Sequence, residues 1–328
     1  MAGRRVDFGT GQPSPPPYSG VRLDRGGDRR GDEAWLASVA ADPRARVRPL
    51  WRDECLVAGD PPVPVLLTVD EIGADTAQLV LLGVDDAGPQ FAIDFSELSS
   101  ADALARTGAD AIVDLRSLYA SLPAPDAAAL AYSRGLLRSN RTQRHCGHCG
   151  AVTEPRNGGH LRACTSADCA ELIFPRIEPA VITLVETTTR PHRCLMARHR
   201  ASKLGGYSLL AGFVEIGESL EDAVRREIWE EAGVALRQVK YVGSQPWPFP
   251  AGLMVAFRAL AAQETVAVDG TEIVEARWYT REELRDYALT TGRLGRADSI
   301  DRLMLTAWLE ESDPPARQTW TREGDRYV

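Results

Sequence analysis

The stretch GFVEIGESLEDAVRREIWEEAGV, residues 212–234, decides the fold of the second half of this chain. Ser219 followed by Asp222 is a capping-box start, and Gly233 suits the residue just past a helix end. One helix of about four turns is predicted between them. Leu220, Val224 and Ile228 recur at helical spacing and give it a buried stripe. Glu227, Glu230 and Glu231 fall at i, i+3 and i+4, so their carboxylates share a face. Such like-charge spacing costs a few tenths of a kcal/mol per pair. Arg225 and Arg226 can pair with some of these groups, but not with all. Clustered hard oxygens are what Mg²⁺ or Mn²⁺ takes, often completed by phosphate oxygens. Gly212 and Gly217 bracket a loop that can pass close to a bound anion.

Around this helix the pattern is α/β. AVITLVE, RCLMARH, YSLLAGF, LMVAFRAL and EARWY read as strands. TREE opens a further helix at Thr280 with a second capping box, and DSIDRLMLTAWLEE reads as the last helix. Upstream, PVPVLLTV, AQLVLLGV and QFAIDF are β-like, and a helix is predicted from Asp126 through DAAALAYSRGLLRSN. Its stripe would be Leu130, Leu136 and Leu137. No catalytic constellation is visible there, which suits a scaffold or dimerisation unit. The expected organisation is a disordered tail over 1–32, an N-terminal α/β domain over 33–142, a Cys-rich ribbon over 143–175, a mixed-sheet α/β/α sandwich over 176–312, and a tail over 313–328. The whole is an α+β chain.

Between the two α/β parts lies HCGHCGAVTEPRNGGHLRACTSADC. Cys146 and Cys149 form a CxxC knuckle; Cys164 and Cys169 follow as a looser CxxxxC pair. Two short-looped pairs supply the four soft ligands of a tetrahedral Zn²⁺ site, closed and therefore structural. A redox dithiol or free thiols are the alternatives. Cys55 and Cys194 sit in apolar surroundings and read as buried small residues.

A second unusual stretch is SQPWPFP, residues 244–250. Its prolines exclude a central strand or a helix interior. It is a stiff ridge presenting Trp247 and Phe249, either a structural elbow or a grip for something flat.

Composition bounds the rest. The chain has 328 residues, 44% hydrophobic and 26% charged, with a net charge of -8. That balance is ordinary for a globular protein and opposes a general grip on nucleic acid, though not on a small nucleotide or an RNA end. No apolar run reaches the roughly 18 residues of a membrane span. The first residues have no apolar core of a signal peptide, so a cytoplasmic location is expected.

The helix segment resembles the Nudix box, GX₅EX₇REUXEEXGU with U aliphatic. Gly212, Glu218, Arg226, Glu227, Ile228, Glu230, Glu231, Gly233 and Val234 fill its fixed positions. With the Cys-rich ribbon before it and SQPWPFP about ten residues after it, the chain resembles the NAD(H) pyrophosphatase (NudC-type) subfamily. The resemblance implies metal-dependent hydrolysis of the NAD(H) pyrophosphate to nicotinamide mononucleotide and AMP. Removal of NAD caps from RNA 5′ ends is a related activity of the family. It implies Glu227 and Glu231 as the main Mg²⁺ or Mn²⁺ ligands, joined by Glu272 and the Ala211 carbonyl. One of Glu227, Glu230 and Glu231 would orient or deprotonate the water, and Arg226 would hold the glutamates.

For the substrate the resemblance implies Gln245, Pro246, Trp247, Pro248, Phe249, Pro250, Ala251 and Gly252, with Phe174, Phe213 and Asp301. Phe174 as a core aromatic and Glu272 as a surface loop residue remain alternatives. Ala251 and Gly252 stand where the family carries a polar or basic residue followed by Ser, and Asp301 where it carries Ala. The CxxxxC spacing departs from the usual CxxC. A homodimer is also implied. Rival readings are a Nudix enzyme for ADP-ribose or dinucleoside polyphosphates, and a non-catalytic nucleotide or RNA sensor.

Overall fold

The computed structural model describes residues 15–73, 78–201 and 206–311. The two terminal tails expected from the sequence thus fall mostly outside the described residues. The chain divides into two units: one runs to Glu178 and includes Gln245–Leu253, the other holds Pro179–Ser244 and the residues from Met254 onward.

The first unit contains α1 (Glu33–Ala40), β1 (Arg46–Trp51), β2 (Glu54–Ala58), β3 (Val63–Pro64), α2 (Val69–Ile72), β4 (Val80–Asp85), β5 (Gly88–Asp94), α3 (Ser100–Thr107), β6 (Ala111–Val113), α4 (Leu115–Leu118) and α5 (Ala124–Thr142). The sheet order is β3-β2-β1-β5-β4, with β6 beside β2. β1 and β5 are parallel and the other pairs antiparallel. Alternate residues of each strand face opposite sides. Val80, Leu82 and Ala92 join Leu130, Leu136 and Leu137 of α5 in one core. Leu81, Phe91 and Ile93 join Ala103 of α3 in another, with Trp35 and Leu36 of α1 against it.

Sequence and structure differ at three points here. β1 and β2 went unread, because Arg46, Arg48 and Pro49 break the apolar pattern of RVRPLW. PVPVLLTV contributes only the two-residue β3 and an isolated bridge from Leu67 to Val47. α5 begins at Ala124, two positions before the expected cap, with Asp126 in its first turn. The expectation of a loose tail also fails for residues 15–32. Tyr18 is buried in the α5-side core, Asp24 bridges to Val84, and Asp32 caps α1.

The Cys-rich segment folds as a three-stranded sheet of β7 (Thr153–Arg156), β8 (Leu161–Cys164) and β9 (Leu172–Ile173). Its turn lies against β4: a Cβ on Gly159, at φ +85°, would meet Val80 at 2.8 Å. His160 Nε2 lies 2.7 Å from the Leu81 carbonyl. Burial lowers the pKa of this imidazole to about 4, so it is neutral and donates to that carbonyl.

The second unit holds β10 (Glu178–Glu186), β11 (Arg193–His199), β12 (Leu210–Phe213), α6 (Leu220–Ala232), β13 (Leu236–Trp247), β14 (Gly252–Ala261), β15 (Ile273–Thr280), α7 (Arg281–Thr291) and α8 (Ile300–Glu310). The order is β13-β14-β10-β11-β15, with β12 beside β10. Leu184, Cys194, Met196 and Leu209 face Leu284 of α7 and Leu305 and Trp308 of α8. Val185, Leu195, Ala197 and Leu210 face Ile228 and Ala232 of α6. This is a helix–sheet–helix sandwich. β13 went unread from sequence; it is the terminal strand of its sheet, which is where Pro246 is tolerated. Among the described residues no helix is long and apolar enough to cross a membrane.

Candidate active site

The helix α6 is built as its sequence dictates. The Ser219 hydroxyl accepts the Asp222 N–H and the Asp222 carboxylate reaches back to Ser219, while Gly233 ends the helix at φ 66°. Leu210 of β12 and Ile228 of α6 share a core, which sets the helix against the strand carrying Ala211 and Gly212. Gly212 has no room for a side chain. A Cβ there would lie 1.9 Å from Glu227 Cδ and about as close to both its oxygens. The glycine therefore opens the space into which the Glu227 carboxylate folds.

Arg226 binds four acceptors at once. It donates to Glu218 at 2.6 and 3.0 Å, to Glu227 at 2.9 Å, to Glu230 at 3.0 Å and to the Phe213 carbonyl at 2.8 Å. These contacts pull the Glu218 carboxyl down to about 2, with the Glu215 N–H adding to the effect, and raise the already high pKa of Arg226. One guanidinium thus relieves the repulsion that three glutamates on one face create.

Glu231 lies beyond that relief. It is 5% exposed, and its Oε2 has no hydrogen-bond partner. Burial pushes its carboxyl up to about 8, with the charges of Glu227, Glu272 and Asp269 adding to the rise and the Ala211 N–H acting against it. Burial also raises Glu227, with Arg226 opposing. A buried, unsatisfied carboxylate among like charges is costly unless a cation restores the balance. The donor set fits a divalent cation on this ground.

Glu272 comes from the turn before β15. Asp269 shapes that turn by accepting the N–H groups of Thr271, Glu272 and Ile273 at 3.0, 2.8 and 2.9 Å. One ligand atom each of Glu231, Glu272 and His199 lie within 4.8 Å of one another. Glu231 and Glu272 are in the expected ligand set; His199 was missed. No local motif marks it, because its neighbours here are distant in the chain.

The ridge SQPWPFP is grouped with the first unit. Trp247 and Phe249 meet edge to face at 5.3 Å, and Tyr18 meets Phe249 at 5.7 Å. Arg116 stands 3.7 Å over the Phe249 ring and 5.4 Å over Trp247, and Arg134 stands 4.7 Å over Phe249. Gln245 and Pro248 are buried, while Pro246 is half-buried and Pro250 exposed. The Ala251 carbonyl accepts the Glu178 N–H at 3.1 Å, and a Cβ on Gly252 would crowd the Glu178 carbonyl at 3.2 Å. Phe174, at 61% exposed, is no core aromatic, and Phe213, at 64%, is likewise open.

Asp301 is buried in the second unit, its Oδ1 accepting the Leu209 N–H at 3.3 Å. Burial pushes its carboxyl up to about 7.

The four ribbon cysteines hold their sulfur atoms within 4.8 Å of one another. Cys146 and Cys169 are 3.8 Å apart, and Cys149 and Cys164 3.4 Å. A tetrahedron with Zn–S bonds of about 2.3 Å has edges of about 3.8 Å, so the cluster has zinc dimensions despite the longer CxxxxC loop. N–H donors from the knuckle backbone lower the Cys146 thiol to about 7, toward the thiolate that zinc binds.

Comparison with known proteins agrees with this anatomy. A NUDIX domain matches residues 176–303, and an NADH pyrophosphatase-like rudimentary NUDIX domain matches residues 44–138. NAD-capped RNA hydrolase NUDT12 of Homo sapiens is 40% identical over 174 residues, covering 51% of this chain and 37% of that protein. Nudix hydrolase 19, chloroplastic, of Arabidopsis thaliana is 39% identical over 184 residues, covering 53% and 42%. NAD-capped RNA hydrolase NudC of Salmonella heidelberg is 40% identical over 144 residues, covering 44% and 54%. The chain therefore spans about half or less of the length of the curated relatives it matches.

Proposed function

From a chain that carries a NUDIX domain behind an NADH pyrophosphatase-like domain, we propose a metal-dependent NAD(H) diphosphatase. It would hydrolyse the pyrophosphate of NAD(H) to nicotinamide mononucleotide and AMP, and would also act on NAD caps at RNA 5′ ends. The observation that carries this reading is Glu231. Its buried, unpartnered oxygen on the helix of the acidic motif calls for a cation at the place where pyrophosphate would bind.

In this reading Glu227, Glu231, Glu272 and the Ala211 carbonyl hold Mg²⁺ or Mn²⁺. The bound cations neutralise the pyrophosphate and make a coordinated water more acidic. Arg226 keeps Glu227 and Glu230 oriented. One of Glu227, Glu230 and Glu231 takes the water proton as its oxygen bonds to one phosphorus in line. The bridging P–O bond breaks, and its electrons leave with the other phosphate.

Phe174, Phe213, Asp301 and Gln245 through Gly252 form the substrate-binding set. Within it the ridge 245–250, held by Tyr18 and Arg116, is a preorganised surface for a flat base or nicotinamide.

The Cys146, Cys149, Cys164 and Cys169 cluster holds structural Zn²⁺. Its thiols need a reducing compartment, in keeping with the cytoplasm. A homodimer belongs to the same reading, and exposed Val152, Leu172 and Ile177 are apolar side chains that a second copy would cover.

The test is product analysis with NADH, NAD⁺, ADP-ribose and NAD-capped RNA side by side. Nicotinamide mononucleotide and AMP from NADH are expected. A clear preference for ADP-ribose would sink the assignment.

A further inference from the structure

His199 ends β11 on the same side as two acidic groups from distant parts of the chain. One ring nitrogen of His199, one oxygen of Glu231 and one of Glu272 lie within 4.8 Å of one another. The backbone is adjusted to achieve this. β11 pairs with β15 residue by residue from Arg193 to Arg198, and then the register slips so that His199 stands opposite Ile273. A bulge at such a point bends the strand and re-aims the side chain. The next residue pins the opposite side of the cluster. The Arg200 N–H donates to the Glu272 carbonyl at 2.8 Å, and its guanidinium donates to the Gly270 and Thr271 carbonyls at 2.7 and 2.9 Å. The third member, Glu231, is 5% exposed and points an unpartnered oxygen into the protein interior. Three side chains from β11, α6 and the turn before β15 therefore converge through separate local devices.

We infer that His199 is a metal ligand. Its ring nitrogen joins the Glu231 and Glu272 carboxylates in a face of one nitrogen and two oxygens for a single divalent cation, and that nitrogen selects Mn²⁺ over Mg²⁺. Mg²⁺ is a hard ion that favours oxygen and gives up its waters reluctantly. Imidazole suits borderline transition ions, and Mn²⁺ accepts both donor types. The inference takes from the hydrolase reading the use of the cation, but not its binding, so the two can fail separately.

The test uses the full zinc-replete chain without substrate. Mn²⁺ is titrated in, with the free ion followed by electron paramagnetic resonance, and the bound ion is examined for nitrogen modulation of its electron spin echo. The wild type is expected to show that modulation and His199→Gln to lose it. Mn²⁺ affinity of the variant should fall by about tenfold or more, while Mg²⁺ affinity, read by competition, should move by less than about threefold. Glu231→Gln should weaken both ions. Absence of nitrogen modulation in the wild type overturns the inference and needs no variant. Equal weakening of both ions in His199→Gln overturns it too. Thermal melting without added metal checks folding, and His199→Asn replaces the glutamine variant if that one does not fold. Nitrogen-bound Mn²⁺ with no NADH hydrolysis would sink the hydrolase reading and leave this inference standing; hydrolysis with no nitrogen signal would do the reverse.

Discussion

Leu81 in the first unit and Leu195 in the second are each fully buried in a strand that shares its residues between two helical layers. The helices covering those sheets differ in what they carry. α5 presents Ala127, Ala128, Ala129, Ala131 and three leucines to its core and has one acidic residue, Asp126, in its first turn. α6 packs the same way through Val224 and Ile228 but adds Glu227, Glu230 and Glu231. The same layered architecture thus appears once with apolar and small residues and once with an unpaired carboxylate. Architecture supplies the platform, and chemistry depends on a handful of side chains set on it.

Substitutions in the second unit should break function while sparing the fold. Glu231→Gln is expected to cost turnover on the order of 10²–10³-fold, as loss of one electrostatic stabiliser does, measured as NADH hydrolysis. The same variant tests the pH behaviour. Glu231 has its folded pKa raised to about 8 from 4.5, so the folded state favours the protonated form. Without added divalent metal, stability should fall as pH rises from about 4.5 to about 8, by a few kcal/mol in all. Urea unfolding across that window should show the slope in the wild type and lack it in Glu231→Gln. An unchanged slope would show that this carboxyl is not strained by its surroundings.

Gly212→Ala comes next. Its Cβ would displace the Glu227 carboxylate, and a misplacement of that size costs roughly 10²-fold in turnover, with little change in the melting temperature. Equal activity would mean that Glu227 need not sit where it does.

Two changes in the first unit should act in the opposite manner, on stability before turnover. Cys164→Ser should remove about one equivalent of zinc and lower the melting temperature, with turnover at low temperature kept. Retained zinc would discount the tetrahedral assignment. Phe249→Ala removes a half-buried ring from the α5-side core and should cost about 1–2 kcal/mol. A rise in KM for NADH beyond the loss of folded protein would favour the grip over the elbow; stability loss alone would favour the elbow.

What was legible in the sequence was local. α6 could be read to within a residue because its capping box, apolar stripe and terminal glycine all lie within one stretch. The zinc cysteines were legible because their two pairs are each closely spaced. The unread parts depend on distance or on context. β1 is a strand by virtue of neighbours on both edges, despite its arginines and Pro49. His199 matters through Glu231 and Glu272, which no spacing rule joins to it, and the slip in register that turns it is invisible before the strands are paired.

Tyr18 carries a practical consequence. Its ring is buried 5.2 Å from Tyr119 and 5.7 Å from Phe249, in a segment whose composition invites removal. An expression fragment started at the first helix, Glu33, would leave a hole the size of a phenol beneath the ridge. Phe249 would be freed to swing into it. A fragment of that kind could bind metal normally and still lose its preference among dinucleotides, and the deficit would be blamed on a tail when it belongs to one missing ring.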